Sequence, residues 1–358
     1  MKTKNLLLFL ILTGFTLFVS CEKDPDPLTQ KQAEEELTNV SDDYDAIKDD
    51  YDATQGIQVE YALDEIGTPF NDFGKKLMMR SISDDLKRIA YKPDLSAKKL
   101  IDDDFDFEEY VGTWDYSTTN GWTRTSSTPT DQVILRFPYP LTNTSNNAVL
   151  TYYEYKTTSI LFYGYPYVVT SGLKAKLELN GQQIWSLTYS GDYSSFTDFS
   201  ITITKTVGKY TLIEKGSTKV SDDQATYTGS FEVKKDGKRV YMTSSSGVFK
   251  YSNDQTWTAS VTAKIIVMNI EIRIEVDYNS SSVINDTTIS NFMKISIWTT
   301  DGAKVGDIKI EYNPNTQDYE PYIYFTNGES APASNYMGVL LEEIGSFIRD
   351  LFDEGEVY

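Results

Sequence analysis

The chain has 358 residues, with 53 acidic against 33 basic side chains and a formal net charge of −20. Such acidity repels phosphate backbones and argues against a nucleic-acid partner. The sequence has no histidine and one cysteine, which excludes Ser–His–acid triads, the usual zinc sites, histidine-ligated haem and any intramolecular disulfide.

Lys2 and Lys4 precede an apolar run from Leu6 to Val19, which ends on Ser20 and then on Cys21, the sole cysteine. Roughly 15 apolar residues fall short of the ~20 that span a bilayer as a helix. The segment resembles a bacterial lipoprotein signal peptide. That resemblance implies cleavage before Cys21, acylation of Cys21, and a membrane partner reached through the lipid anchor. Losing Lys2 and Lys4 with the leader takes the formal charge from −20 to −22. Residues 21–29 then read as an acylated tether, polar and interrupted by Pro25 and Pro27. Glu22-Lys23-Asp24 resembles the export tag of Bacteroidetes surface lipoproteins, which implies an outer-membrane protein facing the outside of the cell.

Residues 30–109 read as a helical region. Leu37, Val40, Tyr44, Ile47 and Tyr51 recur at steps of 3 and 4, the stripe of an amphipathic helix. A second helical pattern runs through Val59, Leu63 and Ile66 and stops at Gly67-Thr68-Pro69. A third runs through Leu77, Ile82, Leu86 and Ile89 and stops at Pro93.

From Tyr110 the period becomes two, and residues 110–330 read as an antiparallel β domain. Val133, Leu135 and Phe137 alternate with polar neighbours, as do Leu173, Ala175, Leu177 and Leu179. Asn180-Gly181 separates that run from the next, the strongest short hairpin signal. Further turns fall at Gly208, Asp236-Gly237, Asn253-Asp254, Asp301-Gly302 and Asn313-Pro314. The fold class expected is mainly β with flanking helices (α+β): an antiparallel meander or half-barrel of roughly 12–14 strands, with amphipathic helices at both ends. Residues 331–358 supply the C-terminal helix. Its apolar stripe, Met337, Leu340, Leu341, Ile344, Phe347, Ile348, Leu351 and Phe352, is too wide to leave in water and is expected to dock on the sheet. Val111-Gly112-Thr113-Trp114 resembles the opening of lipocalin-like barrels, where the tryptophan plugs the closed end. The element order resembles the half-barrels of bacterial lipoprotein carriers.

Several residues are candidates for function. The tyrosines Tyr153, Tyr155, Tyr163, Tyr165 and Tyr167 suit stacking on sugar rings or contact with a hydrophobic ligand, and equally suit packing within strands. Asp102-Asp103-Asp104 and Asp222-Asp223 offer oxygen ligands, yet none has the spacing of a calcium loop, and they read as solvated turns. Asp286-Thr287-Thr288 resembles the O-glycan acceptor of Bacteroidetes, which marks Thr287. No cofactor is expected. The reading is a non-enzymatic binding or scaffold lipoprotein of the outer membrane. Its alternatives are a glycan-binding component of a surface polysaccharide-uptake system and a carboxylate-based hydrolase.

Overall fold

The computed structural model describes residues 25–69, 107–162, 165–195, 197–221, 223–251, 257–279, 292–313 and 318–338, together with 341 and 344. The expected third helix, Asp102-Asp103-Asp104, Thr287, Cys21 and the Glu22-Lys23-Asp24 tag lie outside the described residues.

Helix α1 (Gln30–Asp52) starts at Thr29, whose hydroxyl accepts from the Gln32 amide while the Gln32 side chain accepts from the Thr29 amide. This reciprocal cap satisfies two N-terminal donors. Helix α2 (Gln55–Ile66) ends at Gly67, whose φ of 68° with ψ of −171° lies in a region open essentially to glycine. The short α3 (Phe107–Tyr110) leads into the sheet.

Sixteen strands among the described residues form one open, mixed sheet: β1 (Gly112–Ser117), β2 (Gly121–Ser126), β3 (Val133–Phe137), β4 (Ala148–Phe162), β5 (Tyr165–Leu179), β6 (Gln182–Tyr193), β7 (Asp198–Val207), β8 (Tyr210–Val220), β9 (Gln224–Lys235), β10 (Lys238–Tyr251), β11 (Trp257–Val267), β12 (Ile270–Asn279), β13 (Met293–Thr299), β14 (Lys304–Asn313), β15 (Asp318–Phe325) and β16 (Ser330–Pro332). From β3 to β16 each strand pairs antiparallel with the next. At the other edge β1 lies between β2 and β3, and β1 pairs with β3 in parallel. The expectation of a meander is met, and two of its details are corrected. The strand count exceeds 12–14 because edge strands such as β2 and β16 are short and largely exposed, so they carry no buried alternation. The sheet does not close, so Trp114 has no barrel end to plug; its Nε1 donates to the Tyr110 carbonyl instead.

Alternation sorts the two faces. The outer face is rich in hydroxyls, with cross-strand pairs such as Ser217–Thr228 at 2.7 Å and Ser246–Thr262 at 3.0 Å. The inner face is apolar and forms two clusters. One gathers β3–β8 with α2 around Leu135, Leu150, Leu177, Trp185 and Tyr210. The other gathers β9–β15 around Val261, Ile272, Ile297 and Ile323, with Met337 and Ile344. Helix α1 crosses both: Ala33, Leu37 and Val40 enter the second, whereas Ile47 and Tyr51 pack on the first. The helices and the segment before them reach the strand ends that carry the turns at 208–209, 235–237, 268–269 and 300–303, through Thr54, Asp50, Glu36 and Leu28. There Leu28 N–H donates to the Lys304 carbonyl at 3.1 Å and Pro25 lies against Gly302.

Candidate functional site

The hairpin β4–β5 outgrows its neighbours. Strand β3 pairs with β4 only over Ala148–Tyr152, and β6 pairs with β5 only over Gly172–Leu179. Beyond those limits β4 and β5 pair with each other alone, from Thr157–Thr170 out to Phe162–Tyr165, as a two-stranded arm. A bulge marks its base. Glu154 has a φ of 52°, and the register skips between Tyr153 and Lys156 and again before Thr157. A bulge re-aims the residues that follow it.

Here the bulge parts Tyr153 from Tyr155, which unbroken alternation would leave on one face. Tyr152 pairs with Ala175 on the inner face, and Tyr153 pairs with Lys174 on the outer. Tyr155 returns inward, stacks on Phe107 with ring centroids 4.5 Å apart, and places its hydroxyl 3.3 Å from Thr170 Oγ1. Ile160, Val169 and Tyr167 continue the inner face and pack on the first cluster. The tip and outer face are different: Leu161 is 67% exposed, Tyr165 71% and Val168 68%. Of the predicted tyrosines, then, Tyr155 and Tyr167 pack on the core, Tyr153 sits half-buried on the outer face, and only Tyr165 stands in water; Tyr163 lies outside the described residues. The four described tyrosines do not share one platform. The prediction missed Leu161 and Val168, although a signal was present: between Lys156 and Lys174 no residue is charged.

A second feature is an open groove of about 450 Å³ between α1 and two turns, lined by Glu36, Asn39, Asp43, Arg239, Met268 and Asn269. The Asn269 amide donates to the Glu36 carboxylate, and Arg239 Nε donates to Glu232 at 2.6 Å. Carboxylates, carboxamides and a guanidinium around a shallow opening match the hydroxyls of a neutral polar ligand.

Among the ion-paired carboxylates of the described residues, Glu60, Asp50, Glu232 and Glu271 stand out by their enclosure or by a displaced pKa. Lys205 Nζ lies 2.6 Å from Glu60, both side chains only 12% exposed, and 5.6 Å from the centre of the Trp185 ring. Asp50 accepts from Lys209, Lys235 and the Tyr210 hydroxyl, and these three donors hold its pKa well below the usual carboxylate range. Glu232 and Glu271 are also lowered: burial pushes each up, but ion-paired hydrogen bonds outweigh it, from Arg239 and Lys234 on the first and from Lys264 and Arg273 on the second. An acid catalyst needs the opposite displacement. Asp223, from the predicted acid pair, accepts from Ser221 within the β8–β9 turn at 3.1 Å. These groups hold elements and turns together. Among the described residues no group of three or more potential ligands is placed to hold a metal ion.

No family model, no curated protein and no solved structure matches the chain.

Proposed function

We propose that the protein is a lipid-anchored module of the outer membrane, facing the cell surface, which binds or scaffolds and does not catalyse. The observation that supports it most is Cys21, the sole cysteine, placed behind a charged and then apolar leader and four residues before Pro25, where the described body starts. Pro25 and Leu28 lie at the turn end of β13–β14, at the end of the strands and not on the hydroxyl-rich outer face. The strong acidity favours solubility in a crowded envelope over a charged-lipid contact. Replacing Cys21→Ala and fractionating cells tests the anchor. The parent is expected in the membrane fraction with an acyl mass on its N-terminal peptide, and the variant is expected to leave that fraction. A parent without acyl mass overturns the reading. Protease treatment of intact cells tests display: digestion is expected, and full protection beside a digested surface control places the protein in the periplasm.

A second reading, a glycan-binding component of a surface polysaccharide-uptake system, is favoured by the groove of Glu36, Asn39, Asp43 and Asn269 and by exposed Tyr165. A glycan array with the soluble body separates the two. Retention of a sugar that is lost on Asn39→Ala supports the second reading.

A further inference from the structure

We propose that the β4–β5 arm is a membrane-contact device that seats its tip in a lipid surface. Three of the large apolar side chains most exposed among the described residues, Leu161, Tyr165 and Val168, are gathered there. Pro166 faces Leu161 across the ladder, and Ser159 faces Val168. The segment between Lys156 and Lys174 carries no charge in a chain of net charge −20, so no ionisable side chain of the tip opposes contact with acyl chains. Tyrosine suits the boundary, with a ring for the acyl region and a hydroxyl for the headgroups. Lys156 and Lys174 bound the uncharged segment at the base, where Lys174 is ion-paired with Glu154 at 2.7 Å and stays in water. The arm is also held in place. Ile160 and Val169 are 4% and 5% exposed on its inner face, and Tyr155 stacks on Phe107, so the tip is presented without an ordering cost.

The size of the patch decides among occupants. The patch consists of three strongly exposed side chains, where a standard protein–protein interface uses ~20–30 residues a side, and two copies of so acidic a chain repel. A bilayer needs no such area, because each buried apolar group adds to the partition directly. One geometric consequence follows. Pro25 lies at the opposite end of the strands from the arm tip, so contact through both the tether and the arm requires the strands to run along the bilayer.

The inference rests on the membrane reading above, and the test keeps the two apart by using the chain without its acyl group, residues 22–358, which contain every described element. The probe is a vesicle of phosphatidylcholine and phosphatidylethanolamine, in sedimentation assays at low and high NaCl. Binding is expected and is insensitive to salt. The Leu161→Gln, Val168→Gln double variant is expected to bind at least ~30-fold more weakly. Both positions are two-thirds exposed, so its melting temperature should match the parent's. In a Tyr165→Trp variant, the added fluorescence should be quenched by brominated acyl chains. No vesicle binding by the folded parent overturns the proposal even if acylation of Cys21 is established. A concentration-dependent dimer that the double variant abolishes, without vesicle binding, overturns it also and gives the arm to a second copy.

Discussion

At the scale of the residue, the consequential groups are ions that the sequence separates widely. Glu60 and Lys205 are 145 positions apart, and Asp50 and Tyr210 are 160 apart. No local pattern could pair them, because the pairing follows from where α1 and α2 cross the sheet. Asp50 ties the end of α1 to the β7–β8 and β9–β10 turns through Lys209 and Lys235. Its pKa is depressed in the folded state, so its contribution is present above the unfolded carboxylate value of 3.8 and is lost as pH falls toward the folded value. Asp50→Asn should therefore lower the urea midpoint at pH 7, and the gap to the parent should narrow below about pH 4. The acid slope will not vanish, since Glu232 and Glu271 are displaced the same way. A gap that stays constant from pH 7 to pH 3 refutes this role for Asp50.

At the scale of the element, the sequence was most legible where a buried face repeats and least where an element is exposed or bent. The stripe of α1, the stop at Gly67 and the hairpin at Asn180-Gly181 all stand as read, with Asn180 and Gly181 at φ 53° and 78°. Strand β2 was not legible, because an exposed edge imposes no alternation. The bulge at Glu154 was not legible either: glutamate is a poor marker of positive φ, and the same is true of Met268 at 52°. The packing of α2 turns on a similarly quiet residue. A Cβ on Gly56 would sit 2.4 Å from Val207 Cγ2 and 2.9 Å from the Ile184 carbonyl oxygen, so the helix approaches β6 and β7 through its one residue without a side chain. Alanine gains ~1 kcal/mol in helix propensity over glycine. Overpacking against a backbone oxygen, which cannot rotate away, costs ~1–3 kcal/mol. Gly56→Ala is therefore expected to destabilise by up to ~2 kcal/mol in chemical denaturation. A stabilised variant would show that α2 does not depend on this close approach.

At the scale of the whole molecule, an open sheet of sixteen strands has to cover one apolar face along an arc of roughly 70 Å, from strands spaced ~4.8 Å apart. No single helix of the described chain covers it all, and the two apolar clusters are bridged by α1. The C-terminal segment completes the second cluster. Met337 is fully buried, Ile344 is 4% exposed and Leu341 packs beside them. Tyr336 meets Phe325 edge-on with ring centroids 6.1 Å apart, and its hydroxyl donates to Glu34 at 3.0 Å, so the segment ties β15 to α1. Phe347 and Leu351, on the same predicted stripe, lie outside the described residues. Removing a buried Met or Ile side chain typically costs ~2–5 kcal/mol, against a total stability of ~5–15 kcal/mol for a domain. Deleting residues 333–358 discards at least two such groups and uncovers Phe325 and its neighbours, so the shortened protein should melt well below the parent or fail to accumulate. Met337→Ala keeps the chain intact and isolates one contact. It should lower stability by ~2–5 kcal/mol with an unchanged denaturant slope, because the surface exposed on unfolding hardly changes. If both variants melt with the parent, the segment's apolar face serves a partner rather than the fold, and the second cluster must be closed without it.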